Sequence, residues 1–203
     1  MKWLKGMAVV SAVVLLMIAA PVKADSIIAT LDSISLSSPG VFDWKYDVNF
    51  YDSLNKIEVT LGPNGQQVHP DFFAVLDVDG LIGSTFSAVT GTWVESEPLL
   101  SPLPTTGLPV GEDNPAKKNV QWTYTAGPTI FGGSPATPTF LGTLHISSTL
   151  DKAMLGSCVG GYERIDDQLQ ANDNGTFVPI PTPAAIWAGL ALMGLVAVRK
   201  ATR

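Results

Sequence analysis

The 203-residue chain has one cysteine, Cys158, so no intrachain disulfide can form. Secreted domains use disulfides when their core is too small, so the folded part here must rely on hydrophobic burial instead. Set between Ser157 and Val159, the thiol reads as a small buried hydrophobe. Histidine is nearly absent too: His69 and His145 stand in no H-x-H, HExxH or cysteine-paired spacing, so a zinc site would need distant partners. There is no G-x-S-x-G elbow, and Gly133-Ser134-Pro135 puts its serine in a turn. The body shows neither an internal repeat nor a capped helical segment of useful length. These gaps leave few routes to catalysis, and the chain reads as non-enzymatic.

Basic residues are scarce where they would matter for nucleic acid. Of the twelve Lys and Arg, Lys2, Lys5 and Lys23 lie at the front and Arg199, Lys200 and Arg203 at the end. The body keeps only Lys45, Lys56, Lys117, Lys118, Lys152 and Arg164 against all eighteen acids, a formal charge of 6 − 18 = −12. Such a surface repels phosphate backbones, which excludes nucleic acid as a partner, and it suits a cation-rich matrix.

What is present is clearest at the two ends. Lys2 and Lys5 form a basic start, an apolar run follows from Met7 to Ala20, and Val22-Lys23-Ala24 places small residues at −3 and −1. This is the layout of a signal peptide over residues 1–24, cleaved between Ala24 and Asp25. At the other end, residues 178–203 read VPIPTPAAIWAGLALMGLVAVRKATR. Pro179, Pro181 and Pro183 are expected to stop regular structure, since each lacks a backbone N–H. Ala184 to Val198 carries no charge and as a helix spans roughly 22 Å, short of the ~30 Å hydrocarbon core. The basic end orients such a helix C-terminus inward and body outward. An ordinary single-span anchor and a transient processing signal both fit this layout.

The ordered tail resembles the PEP-CTERM sorting signal of Gram-negative bacteria, in which a Pro-rich motif, a short hydrophobic helix starting near a Trp and a basic cluster follow one another. Val178, Pro179, Pro181, Trp187, Gly189, Gly194 and Arg199 fall where that pattern expects them. The common Pro-Glu-Pro is replaced by Pro179-Ile180-Pro181, which is closer to the VPLP-type variant. The resemblance implies recognition by an exosortase, an integral-membrane cysteine protease, with a transient inner-membrane stop and delivery to the cell surface or the exopolysaccharide matrix. The body is also similar to ectodomains carrying such tails, in its Trp44-Lys45-Tyr46 and Trp122-Thr123-Tyr124 segments and in Phe72–Gly80. Those ectodomains imply no activity.

Between the ends, residues 25–177 read as strands and turns. After a Ser-rich lead-in, Phe42, Trp44, Tyr46, Val48 and Phe50 alternate with Asp43, Lys45, Asp47 and Asn49, a half-buried strand with an aromatic inner face. Lys56–Leu61 alternates more briefly, ends in Gly62-Pro63-Asn64-Gly65 and is expected to pair with that strand. Asp71–Ile82 is a more continuous apolar strand with a turn at Asp79-Gly80, and Gly91–Glu97 carries Trp93. Pro98–Pro115 is a long loop. Asn119–Thr125, a short Ile130-Phe131 and Phe140–Leu150 complete the strands, with Tyr162–Ile165 as a last one and Asn172-Asp173-Asn174-Gly175 as a turn. Aromatic alternation with Gly/Pro turns predicts an antiparallel β-sandwich, jelly-roll or Ig-like, flanked by the signal peptide and a C-terminal transmembrane helix over 184–198.

Several residues are candidates for chemistry. Asp77-Val78-Asp79-Gly80 offers two carboxylates before a glycine turn and is the calcium candidate, although it is one pair short of an EF-hand loop and lacks the closing glutamate. Glu95 and Glu97 share a strand face and are the only carboxylate pair suggesting glycosidase work. Trp44, Trp93 and Trp122 could stack on sugars, though on apolar strand faces they read as core. The expectation is a non-enzymatic exported surface or matrix protein sorted by its tail. The alternative is a polysaccharide-binding module, with or without calcium.

Overall fold

The computed structural model describes residues 27–99, 114 and 116–180. The signal peptide with Ala24 and Asp25, most of the Pro98–Pro115 loop, and residues 181–203 with Pro181, Trp187, Gly189, Gly194, Arg199 and the 184–198 helix lie outside the described residues.

Two antiparallel sheets face one another. The four-stranded sheet runs β1 (Ile27–Ser38), β2 (Val41–Phe50), β11 (Thr139–Ser148), β7 (Leu81–Ala88). The larger sheet runs β10 (Ile130–Phe131), β3 (Asn55–Ile57), β12 (Lys152–Arg164), β6 (Phe72–Val78), β9 (Lys118–Ala126), β8 (Thr92–Ser96), with β13 (Leu169–Ile180) on the other edge of β12. A separate small ladder joins β4 (Thr60–Leu61) and β5 (Gln67–His69). The described body is thus all-β, as expected from the alternation.

The core lies between the sheets and is built from single parities of each strand. Trp44, Tyr46, Val48 and Phe50 of β2 are fully buried, and Leu144 and Ile146 of β11 join them. Opposite stand Phe73 and Val75 of β6, Val120, Trp122 and Tyr124 of β9, and Cys158 and Tyr162 of β12. Phe73, Phe86, Trp93, Trp122 and Tyr124 form a chain of edge-on and tilted ring contacts at 5.0–5.8 Å between centroids. Each such pair adds about 0.5–1.5 kcal/mol beyond area burial. The uninterrupted run Phe72–Leu76 is explained by burial on both sheet faces: Phe72, Ala74 and Leu76 pack with Val159 in a second cluster.

Two expectations about the middle of the body are corrected. Lys56–Leu61 does not pair with β2, whose two edges are taken by β1 and β11. A turn at Asp52–Asn55 carries the chain across to the other sheet, where β3 pairs with β12 and β10. Asp71–Ile82 is not one strand: the Asp79-Gly80 turn, with Gly80 at φ +64°, passes from β6 in one sheet to β7 in the other.

The C-terminal third differs most. β12 and β13 form a long hairpin paired from Lys152↔Ile180 to Glu163↔Leu169, and Asn172–Gly175 lies inside β13. The Asn side chains that suggested a turn instead clasp the neighbouring sheet. Ile27 N donates to Asn172 Oδ1 at 3.1 Å, Asn172 Nδ2 donates back to Ile27 O at 3.1 Å, and Thr176 Oγ1 donates to Ala29 O at 2.6 Å. These side chains give the β1 edge the partners that a strand backbone would otherwise supply. β13 also runs past Pro179 to Ile180, beyond the expected boundary at 177. Among the described strands it pairs only with β12, so the proline sits on an edge, where its missing N–H breaks no inner ladder.

Candidate functional site

A dense polar constellation lies at the turn end of the β12–β13 hairpin. Lys56 of β3 and Glu163 of β12 are cross-strand partners, and Glu58 follows Lys56 by two residues on the same side of the chain. The hairpin turn contributes Asp167, held at φ +62°. Lys56 Nζ donates to Glu58 Oε1 and Asp167 Oδ1, both at 2.6 Å, and stands 3.7 Å from Glu163 Oε2. Those two hydrogen bonds, Asp167 first, hold the ammonium well above the usual lysine range. Thr60 Oγ1 donates to Glu163 Oε1 at 3.1 Å, and Thr129 Oγ1 donates to Glu58 Oε2 at 3.2 Å.

Asp71 stands at the inner wall of this cluster. It is 1% exposed, and its Oδ2 accepts the Glu58 N–H at 2.7 Å. Burial pushes its carboxyl up to about 8; the Glu58 N–H bond works against this, and the charges of Glu163 and Glu58 add to it. Its Oδ1 is buried without a hydrogen-bond partner among the described residues. Carboxylate oxygens of Glu58, Glu163 and Asp167 all lie within 4.8 Å of one another, the one such grouping of three among the described residues. The donors are all oxygen, which suits a hard cation rather than zinc or copper.

The candidates read from sequence take other positions. Asp77 sits at a β-bulge in β6 with φ +57°, and its Oδ1 accepts the Asn114 N–H at 3.0 Å. Asp79 Oδ2 accepts from Lys117 Nζ at 2.8 Å. Each of these two carboxylates is therefore engaged by the protein itself. Glu95 accepts a hydrogen bond from Ser84 Oγ, while Glu97 pairs with Lys118 at 2.7 Å. His145 Nδ1 meets Asp43 Oδ2 at 2.9 Å, and His69 is half-buried on β5. Trp44, Trp93 and Trp122 are buried in the core, so none of them offers a face to a sugar. Cys158 is fully buried, its thiol pushed up to about 12 by desolvation, which leaves it inert.

Two residues of the tail motif fall on described structure. Val178 is 1% exposed, opposite Met154 on β12, and belongs to the main core. Pro179 follows it opposite Ala153. Ile180 ends the strand beside an open cleft of 490 Å³ lined by Asp77, Lys117, Met154, Asp173 and Val178 among others. The root of the tail is therefore a strand of the sandwich.

Sequence reasoning missed Lys56, Glu58, Asp71, Glu163 and Asp167 as a group. The Lys56/Glu58 spacing of two was a visible hint, but Asp71 and the Glu163/Asp167 pair lie on other segments that only tertiary structure brings to it. No protein-family model, no curated protein and no solved structure matches this chain.

Proposed function

We propose that the chain is a non-enzymatic exported protein of the cell surface or extracellular matrix, sorted through its tail by an exosortase-type membrane protease. The order of the tail carries this reading: prolines over 178–183, an uncharged run over 184–198, then Arg199, Lys200 and Arg203, opposite a signal peptide at the front. In this reading the protease performs the chemistry, and this chain supplies the recognition element. Because Val178 is part of the core and paired with Met154, a cut that spares the sandwich falls after Ile180.

Intact mass of the membrane-bound and extracellular forms, expressed in a host that has the sorting enzyme, tests this. The expected extracellular form lacks residues 1–24 and ends between 180 and 184. Removal of 184–203 by truncation is expected to release soluble protein without surface display. An extracellular form that keeps residues 184–203 would refute the sorting role, and one ending before Val178 would refute the placement of the cut.

A further inference from the structure

We propose that the end of the sandwich from which residues 181–203 continue is a lipid-contacting face, with Ile34, Leu36, Met154, Leu155 and Phe177 in the interfacial layer of the bilayer, a contact that presupposes the membrane-inserted tail proposed for this chain. Strand parity shows why these side chains stand out. Ile34 lies opposite Trp44 and Leu36 opposite Phe42, so both share the inner face of their sheet with residues of the core or packed against it. Met154 lies opposite the buried Val178 and is likewise on an inner face. Inner-face residues of a sandwich are normally covered by the facing sheet, yet Leu36 and Met154 are 64% and 50% exposed. Beside Met154, Leu155 and Phe177 are cross-strand partners on the outer face, and both are exposed. The bonds from Asn172 to Ile27 and from Thr176 to Ala29 run in step, so β1 and β13 travel in the same direction. Ile34 and Leu36 therefore lie toward the end at which β13 stops, and the core is left with an apolar rim there.

What covers this rim follows from where the chain goes. Ile180 ends β13 opposite Lys152 and shares the walls of one cleft with Met154 and Leu155. Only residues 181–183 separate it from the uncharged run that starts at Ala184. The step from Ile180 to Ala184 reaches at most about 14 Å. That is under half the length of β13, which is roughly 36 Å. With the uncharged run in the bilayer, so short a tether keeps the sandwich from turning its other end to the membrane. The rim then faces the headgroups. Contiguous exposed apolar residues mark a protein or a membrane contact, and the tether selects the membrane. Charge attraction is not the driving force, because the body is strongly acidic; removal of apolar side chains from water is.

The test places a thiol-linked fluorophore at Leu36→Cys, Leu155→Cys or Leu169→Cys of the full-length chain, reconstituted in phosphatidylcholine vesicles. Cys158 is fully buried and its thiol inert, so it stays unlabelled. Leu169 is 40% exposed at the other end of β13 and is the reference position. All three positions are exposed, so each variant is expected to fold as the parent does, which circular dichroism checks. Vesicle flotation reports whether the tail is inserted, and quenching by a lipid with a nitroxide on its headgroup reports whether a position touches lipid. Quenching at positions 36 and 155 is expected to exceed that at 169 several-fold. It is expected to persist in about 1 M sodium chloride, where the Debye length is about 3 Å. If the protein floats but quenching at 36 or 155 is no greater than at 169, the contact is overturned and the inserted tail stands. Probes shielded from water but not quenched by the nitroxide lipid would place the tail itself or a second copy over the rim, which also overturns the contact, as does quenching abolished by salt. A chain that does not float overturns the inserted tail and the contact with it.

Discussion

Asn172 is the residue whose removal most directly tests how the two sheets are joined. Its amide makes two bonds of 3.1 Å with the backbone of Ile27, which is fully buried. Asn172→Ala leaves the Ile27 N–H without its acceptor; the Ile27 carbonyl keeps only the longer 3.4 Å contact from Asn174 Nδ2. An orphaned buried backbone donor costs about 1–3 kcal/mol, and the weakened carbonyl adds some tenths. A loss of about 2–3 kcal/mol is therefore expected, equivalent to roughly 4–12 °C in Tm for a domain of this size. The neighbours supply a graded series. Thr176→Val removes one buried 2.6 Å donor to Ala29 O and is expected to cost about 1–2 kcal/mol, whereas Asn174→Ala is expected to cost under about 1 kcal/mol. Urea denaturation read by tryptophan fluorescence measures the three values, and amide exchange at Ile27 and Ala29 shows whether the start of β1 has come loose. An Asn172→Ala protein within about 0.5 kcal/mol of the parent, or one less perturbed than Asn174→Ala, would refute the clasp.

Two further outcomes follow from buried residues. Burial holds Asp71 at about 8, so the folded protein binds its proton more tightly than the unfolded chain between roughly pH 4 and pH 8. Its contribution to stability is present at the acid end and lost as pH rises through 8. Asp71→Asn is expected to remove this slope, since the amide does not titrate in this range while its oxygen can still accept the Glu58 N–H. Urea titrations at pH 5, 7 and 9 that show identical slopes for the two proteins would contradict this. Val178→Ala opens a gap against Gly156, where a built Cβ would approach Val178 within 2.7 Å, and is expected to lower stability by about 1–3 kcal/mol in calorimetry.

Where apolar and polar residues alternate, strand existence and inner faces were legible along the sequence because the signal is local. The period-two alternation over Phe42–Phe50 reports the side chains' own parity, and the structure buries Trp44, Tyr46, Val48 and Phe50 on one face. Turn chemistry was equally local at Gly62–Gly65 and Asp79-Gly80. It misled at Asn172–Gly175, where amides that normally bond their own backbone found a better use on β1. No local rule could reveal that, because the partner lies 145 residues away.

The sequence alone determined the strands over Phe42–Phe50, Asn119–Thr125 and Phe140–Leu150, which side chains of the first face inward, and that acidic charge dominates the body, while β1, β13 and most of β12 were not legible as strands. Each follows from side-chain chemistry and from a repeat of two, which need no knowledge of neighbours. Tertiary structure decided which strands pair, that β13 continues through Val178 and Pro179, and that Lys56, Glu58, Asp71, Glu163 and Asp167 meet. The reason is that a strand's hydrogen-bonding edges are chemically alike along the whole chain. Pairing is chosen by which packing buries the most apolar surface at once, and only that choice brings distant charges to one point.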